Sequence, residues 1–278
     1  MVKNLKIIKM IFTQYQIGKE LNKMILKTLN QFKAYYKKNN ILTINSDPKT
    51  IKGTKKGYLT AILYLSPHKI SGKNLCLFAS IGCINACLNI AGRGAMNFTQ
   101  KARLNRSLFY IKDKQAFMLN IVNRINNFVK YAKNKNMIPV IRLNGTSDIM
   151  LERIKINYQG KTYNNIMEIF PHVQFYDYTK APLKIKKNLP SNYDITYSYS
   201  DKATAFNESM EYLKNNKARV SVVFSGDLPK TWNGFKVVNA DESDLRFLEP
   251  KNVICGLKFK GSKKTLKKAI KEGFVIKS

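Results

Sequence analysis

The chain has 278 residues and a formal net charge of +32, from 49 Lys and Arg against 17 Asp and Glu. Its 44% hydrophobic content is enough to build a buried core, which excludes a chain that is disordered throughout. The charge predicts a polyanionic partner, nucleic acid first, while a lysine-rich codon bias is the competing explanation and leaves the shortage of acidic residues unexplained.

Residues 1–45 are predicted to form a basic amphipathic helical extension. Apolar residues recur near the helical period, and lysines occupy the other face, which either contacts phosphates or is simply solvated. Lys6 and Lys9 interrupt the first apolar run, so it is a poor signal peptide. With no membrane-spanning run and no disulfide pattern among four cysteines, we expect a protein of the cytoplasm, of a cell or of a viral host.

Residues 46–278 are predicted to form one α/β domain. Asn45 to Gly57 has the composition of a turn-rich linker. Helices are expected over Thr99 to Asn136, with a break near Lys112 and Asp113, and over Lys263 to Lys271, while Lys202 to Asn216 is expected to be a helical or looped connection. Six strand-like runs alternate with these connections, which favours a parallel sheet or a partial (β/α) barrel. The runs are Tyr58 to Leu65, Ile138 to Leu143, Val173 to Tyr178, Asp194 to Tyr199, Arg219 to Phe224 and Val253 to Phe259.

Three of the four cysteines, Cys76, Cys83 and Cys87, lie within twelve positions after the first predicted strand. Cys83 and Cys87 are four apart, so on a helical turn both sulfurs would leave the same face. Three thiolates can hold three irons of a [4Fe–4S] cluster and leave the fourth open for substrate or S-adenosylmethionine. Zinc with a fourth ligand from His68 or Cys255, and plain buried thiols, are the alternatives.

Polar residues follow the cysteines and the later strands, where α/β folds keep their chemistry. Arg93, between two glycines, would receive an anion or lie in an ordinary turn. Asn144, Ser147 and Asp148 would line a cofactor pocket, with a helix-capping role for Asp148 as the alternative. At the end of the next strand, Asp177 and Lys180 are the candidates for substrate contact and catalysis, while the neighbouring tyrosines are equally consistent with core packing.

From Ser46 to Ser278 the chain resembles a family of phage and plasmid proteins related to the phage gene-product-eighty-eight family. The blocks that carry the resemblance are GYLTAILYLSP, CLFASIGCINACLNIAGRGAM, RLNGTSDI, FYDYTK, LPSNYDITYS and DLRFLEPKNVICGLKFKG. The resemblance implies a partial barrel like that of radical S-adenosylmethionine enzymes, with the cysteines after the first strand, and a core position for Cys255. The spacing C-x6-C-x3-C departs from the usual C-x3-C-x2-C of those enzymes.

Two functions from different classes are consistent with these features. The first is an iron–sulfur protein, radical-S-adenosylmethionine-like, of viral or mobile-element origin, acting on or near nucleic acid or nucleotides. The second is a non-catalytic, basic nucleic-acid-binding protein with a structural zinc or no metal at the cysteines.

Overall fold

A ten-stranded mixed sheet dominates the fold in the computed structural model, which describes residues 26, 28–45, 47–182, 188–215 and 218–278. Its strands are β1 (Thr43–Ile44), β2 (Tyr58–Ile62), β3 (Ile138–Arg142), β6 (Gln174–Thr179), β7 (Tyr193–Ser198), β8 (Val220–Phe224), β9 (Thr231–Trp232), β10 (Phe235–Asn239), β11 (Ile254–Lys258) and β12 (Val275–Ile276). A separate hairpin joins β4 (Ile156–Tyr158) to β5 (Lys161–Tyr163).

The sheet is mostly parallel, as predicted. Neighbouring strands follow the order β1-β2-β3-β6-β7-β8-β11-β10-β9, and β12 pairs with the end of β8. The strands β2, β3, β6, β7 and β8 lie side by side in chain order, and each runs parallel to its neighbours in this series. In contrast, β1 is antiparallel to β2, and β9 is antiparallel to β10. All six predicted strands are present within one or a few residues of their expected bounds.

Eight α-helices connect or flank these strands within the described residues. They are α1 (Leu29–Lys38), α2 (Pro48–Thr54), α3 (Ile81–Asn85), α4 (Asn97–Lys112), α5 (Lys114–Asn134), α6 (Ile166–Ile169), α7 (Ala203–Lys214) and α8 (Lys263–Lys271). The predicted break between α4 and α5 is confirmed. Asp113 stands there in an extended conformation, and its carboxylate accepts a hydrogen bond from the Ala116 amide at 2.9 Å, which caps α5.

The region before residue 46 packs onto the domain where the structure describes it. Phe32 and Tyr36 of α1 each stack on Phe109 of α4 with ring centroids 5.6 Å apart, and β1 extends the sheet beside β2. The predicted helix over residues 1–25 lies outside the described residues. The proposed domain boundary at residue 45 stays a prediction.

The expected linker from Asn45 to Gly57 is wrong in its central part. Pro48–Thr54 forms α2, because Pro48 tolerates the first helical position and Asp47 accepts a hydrogen bond from the Thr50 amide at 3.1 Å. Turn-forming residues therefore start this helix instead of preventing it.

The two faces of the sheet differ in chemistry. The main apolar core lies between the sheet and helices α1, α4 and α5, and it includes the α5 residues Phe117, Ile121, Ile125 and Phe128. The opposite face carries a small cluster of Val140, Tyr176 and Leu245 beside polar side chains. None of the helices in the described ranges combines the length and hydrophobicity of a membrane span.

Candidate functional site

The cysteine segment, residues 75–98, lies at the carboxyl end of the parallel strands. It follows β2, while the polar loops of Asn144 to Asp148 and of Lys180 follow β3 and β6. Because β2, β3, β6 and β7 are parallel neighbours, the residues after them share one edge of the sheet. This topology is what brings side chains from separate parts of the sequence together.

Short helical turns shape the cysteine segment. Ser80 caps α3 by accepting a hydrogen bond from the Cys83 amide at 3.1 Å, and α3 ends at Asn85. Cys87 then precedes a 3-10 turn over Leu88–Ile90, and its sulfur accepts a hydrogen bond from the Asn89 amide at 3.5 Å. The expectation that Cys83 and Cys87 share one helical face is therefore wrong, since the helix ends between them.

Arg103 of α4 fastens the second half of this segment. Its guanidinium is buried, donates a hydrogen bond to Asn89 Oδ1 and lies over the Tyr64 ring at 5.1 Å from the centroid. Gln100 joins the same cluster by donating to the carbonyls of Asn89 and Gly94. Burial is the largest cause acting on Cys87 and raises the pKa of its thiol, whereas the positive charge of Arg103 partly offsets this shift.

Cys76 is attached to the loop that follows β3. Its backbone forms a parallel bridge with Asp148, whose amide donates to the Leu75 carbonyl at 2.8 Å. The Asp148 carboxylate then accepts hydrogen bonds from Thr179 Oγ1 at 2.8 Å and from the Lys180 amide at 2.9 Å. Asp148 thus joins the cysteine segment to the end of β6. Asp148 does not cap the next helical element, because the 3-10 turn at Leu151–Arg153 has no side-chain cap.

The three thiols interact electrostatically. Burial, together with the smaller effects of the charges of Asp148, Cys87 and Cys83, raises the pKa of Cys76 to about 12. Burial also raises the pKa of Cys83 and Cys87, and Cys83 contributes to the shift of Cys87. Within the described residues, no group of three or more His, Cys, Asp or Glu side chains has an arrangement that could hold a metal ion.

Lys180 is the cation next to Cys83. Its ammonium group donates to the Tyr199 carbonyl and lies 5.2 Å from the centroid of the Phe274 ring. Burial lowers the pKa of Lys180, whereas the charges of Cys83, Asp201 and Asp148 raise it. In turn the charge of Lys180 lowers the pKa of the Cys83 thiol against the larger effect of burial.

Asn144, Ser147 and Asp177 form a buried hydrogen-bonded group beneath the loop. The Asn144 amide donates to Asp177 Oδ1 at 2.7 Å, and Ser147 Oγ donates to Asn144 Oδ1 at 2.9 Å. Tyr193 Oη donates to the other oxygen of Asp177 at 3.0 Å. These bonds fix the shape of the loop that carries Asp148.

A second polar network lies on the sheet face opposite α4 and α5. Arg142 Nη1 donates to Asp244 Oδ2 at 2.9 Å, Tyr176 Oη donates to the same oxygen at 3.1 Å, and Tyr178 Oη donates to Oδ1 at 3.4 Å. Burial, followed by the charge of Asp244, raises the pKa of both tyrosines, so their hydroxyls stay protonated donors. Arg142 Nε also lies 3.9 Å from Asp177 Oδ1, which joins this network to the loop after β3.

The family model for Gene product 88 matches residues 21–278, which is most of the chain. The chain belongs to the Gene product 88 family. The match begins upstream of Ser46, where the resemblance in sequence blocks starts. Comparison with curated proteins gives no match. Comparison with solved structures gives none either.

In this Gene product 88 family member, the structure brings Cys76, Cys83, Cys87, Asp148 and Lys180 to one edge of the sheet. Asn144, Ser147 and Asp177 lie just beneath that edge, with one another as hydrogen-bond partners. Arg93 is exposed on a 3-10 turn over Gly92–Ala95. A different arginine, the buried Arg103, lowers the pKa of Cys87 against the larger effect of burial.

Two features of the site do not follow from the sequence patterns. The first is Arg103, which is one of several basic residues on a predicted helix and has no local signal that marks it as buried. The second is the pair of Arg142 and Asp244, which are 102 positions apart in the sequence, so no local pattern joins them. The position of Arg142 at the carboxyl end of β3 is the available signal, since that edge of a parallel sheet is where functional side chains gather. Cys255 is fully buried among Ala240 and Val253, as the resemblance implied.

Proposed function

We propose that this protein is an iron–sulfur protein in which Cys76, Cys83 and Cys87 bind a [4Fe–4S] cluster. The observation that carries the proposal is the placement of three free, half-buried thiols in one segment at the carboxyl end of a parallel sheet. Free thiols fit a reducing compartment such as the cytoplasm. The in-order parallel strands fit the partial barrel of radical S-adenosylmethionine enzymes.

The donor set fits a cluster better than a single zinc ion. Zinc holds each thiolate at about 2.3 Å, so its ligands must converge on one point. Within the described residues, the three thiols are not grouped closely enough to hold one metal ion. A cluster binds each thiolate through a different iron and so accepts ligands that stand further apart. Cys255 offers no fourth thiolate to the cysteine segment, because it lies fully buried in β11 among Ala240 and Val253.

Such a cluster supplies one-electron chemistry and, at an iron without a protein ligand, a coordination position for substrate or S-adenosylmethionine. The protein's own contribution follows from the contacts around the thiols. Lys180 offsets negative charge at Cys83, and Arg103 does so at Cys87. Asp148 fixes the position of Cys76 relative to Lys180 through its backbone bridge and its carboxylate. Arg93, Asn144 and Ser147 would complete the cofactor pocket, and Asp177 and Lys180 would contact substrate.

Cysteine replacement tests the proposal residue by residue. We expect single Cys76→Ser, Cys83→Ser and Cys87→Ser variants, reconstituted anaerobically with iron and sulfide, to lose most of the bound iron, because each removes one thiolate from a set of three. Cys255→Ala is the matched control and should keep the wild-type iron content. Equal iron content in all four variants would show that the thiols do not bind the cluster. A stoichiometric zinc ion in the metal analysis would instead favour a structural zinc site.

The net charge of +32 supports a second function, nucleic-acid binding without catalysis. In that case the affinity for DNA or RNA should fall steeply with salt and should survive replacement of all three cysteines by serine. Under the iron–sulfur proposal the same charge recruits a nucleic acid or nucleotide substrate, and any turnover should vanish in that triple variant. Binding and turnover measured on one pair of proteins therefore separate the two functions.

A further inference from the structure

Helix α8 concentrates positive charge on its exposed side. Its exposed lysines are Lys263, Lys264, Lys267, Lys268 and Lys271. Leu266, Ala269 and Ile270 turn towards the protein and are buried or half-buried. No acidic residue stands among the nine residues of this helix, and Glu272, just after it, lies 3.6 Å from Lys268.

This arrangement is unfavourable for the isolated helix. Lys263 and Lys267, Lys264 and Lys268, and Lys267 and Lys271 are like-charge pairs four residues apart, each of which destabilises a helix by about 0.2–0.5 kcal/mol. Lysines in the first turn also oppose the helix dipole, which favours negative charge there. A bound polyanion would attract each of these lysines and so offset their mutual repulsion.

The carboxyl end of α8 lies against the cysteine segment. α8 contacts α3, and Asn85 Nδ2 of α3 donates to Glu272 Oε1 at 2.8 Å. A Cβ atom on Gly82 would stand 2.6 Å from Cβ of Phe274, the residue whose ring receives the Lys180 ammonium. Cys83 is the next residue after Gly82. The lysines of α8 therefore lead towards the proposed metal site.

The cysteine segment also exposes large apolar side chains. Six of them are at least 45% exposed: Leu77, Ile81, Leu88, Ile90, Met96 and Phe98. A nucleic-acid duplex hides the faces of its bases, whereas a single strand offers them to apolar and aromatic side chains. Basic and apolar surfaces that meet at α3 therefore suit a single strand better than a duplex.

We infer that a single-stranded nucleic acid binds along α8 with its phosphates on the exposed lysines and reaches the cysteine segment with its bases. The inference names the partner of the proposed metal site and the surface that the partner occupies. It rests on the proposed function only for what the strand meets at the cysteines, since binding to α8 needs no metal.

The test compares two triple variants of the full chain that lose the same charge. Lys264→Gln, Lys267→Gln and Lys271→Gln remove charge from α8. Lys130→Gln, Lys133→Gln and Lys135→Gln remove it from the end of α5 and the residue after it, just before β3 and thus at the amino end of the sheet. The probe is a labelled oligodeoxythymidylate, and its affinity is measured between about 50 and 200 mM salt.

The α8 variant is expected to lower the slope of log affinity against log salt by about 2, since each lost phosphate contact on a single strand contributes about 0.7. The α5 variant should keep the wild-type slope, and wild-type protein should bind the single strand more tightly than the matched duplex. Equal slopes for the two variants, or tighter binding of the duplex, would overturn the inference. So would binding of phosphatidylglycerol vesicles that depends on the α8 lysines and that the oligonucleotide does not displace.

Iron content separates this inference from the proposed function. The α8 variant should bind as much iron as wild-type protein, and the triple Cys→Ser protein should still show the slope difference when the α8 lysines are replaced. Loss of the slope difference with normal iron binding would contradict the inference alone. Absence of iron in wild-type protein with an intact slope difference would contradict the proposed function alone.

Discussion

Replacement of Asp244 by Ala is expected to reduce the free energy of unfolding by about 3–5 kcal/mol, the usual effect of removing one partner of a buried ion pair. Asp244 accepts hydrogen bonds from Arg142, Tyr176 and Tyr178, and its side chain is only 7% exposed. Without it a guanidinium and two hydroxyls lose their partner away from water. Urea denaturation monitored by circular dichroism measures the change.

Asp227 provides the control for this prediction. It pairs with Lys258 at 2.7 Å, but its side chain is almost fully exposed, so Asp227→Ala should leave the urea midpoint unchanged. Asp244→Asn should fall between Asp244→Ala and wild-type protein, because one oxygen acceptor remains. Equal midpoints for Asp244→Ala and Asp227→Ala would mean that the buried network does not stabilise the sheet.

Gly94→Ala should impair both the stability of the protein and the iron binding of the cysteine segment. A Cβ at Gly94 would overlap the Leu88 carbonyl oxygen and stand 3.3 Å from Arg103 Nη1. Backbone has to move to relieve that overlap, which costs about 1–3 kcal/mol. The movement would also displace the turn that begins at Cys87. Urea denaturation and iron analysis after anaerobic reconstitution measure the two effects.

Gly53→Ala is the matched control, since a Cβ there would stand 3.5 Å from Leu245 Cδ1, an ordinary contact. Gly53 lies in α2, where alanine is favoured over glycine, so stability should be unchanged or slightly higher. If Gly94→Ala binds as much iron as wild-type protein, the shape of the Gly92–Ala95 turn does not determine the position of Cys87, and the prediction is wrong.

The α/β class, the mostly parallel sheet and its central strands could be predicted because their signals are local. A run such as Tyr58 to Leu65 is apolar over a strand's length, and the break at Asp113 has the capping chemistry of a helix start. The two-residue strands β1, β9 and β12 could not be predicted, since pairing with a distant neighbour defines them and their own composition does not.

The sequence could predict only those parts of the site whose position follows from the order of strands along the chain. Cys76, Asp148 and Lys180 each follow a strand, so a parallel sheet alone puts them at one edge. The close approach of Phe274 to Gly82 brings α3 against a distant part of the chain, which no local pattern encodes. The same holds for Arg142 and Asp244, whose pairing depends on how a late segment covers the sheet.

The most direct test of the central claim is metal and sulfide analysis of wild-type protein after anaerobic reconstitution, together with its visible absorption spectrum. A brown protein with about four irons and four sulfides per chain is the expected result. A colourless preparation without iron, obtained from folded protein under the same conditions, would contradict the claim that the three thiols bind a cluster.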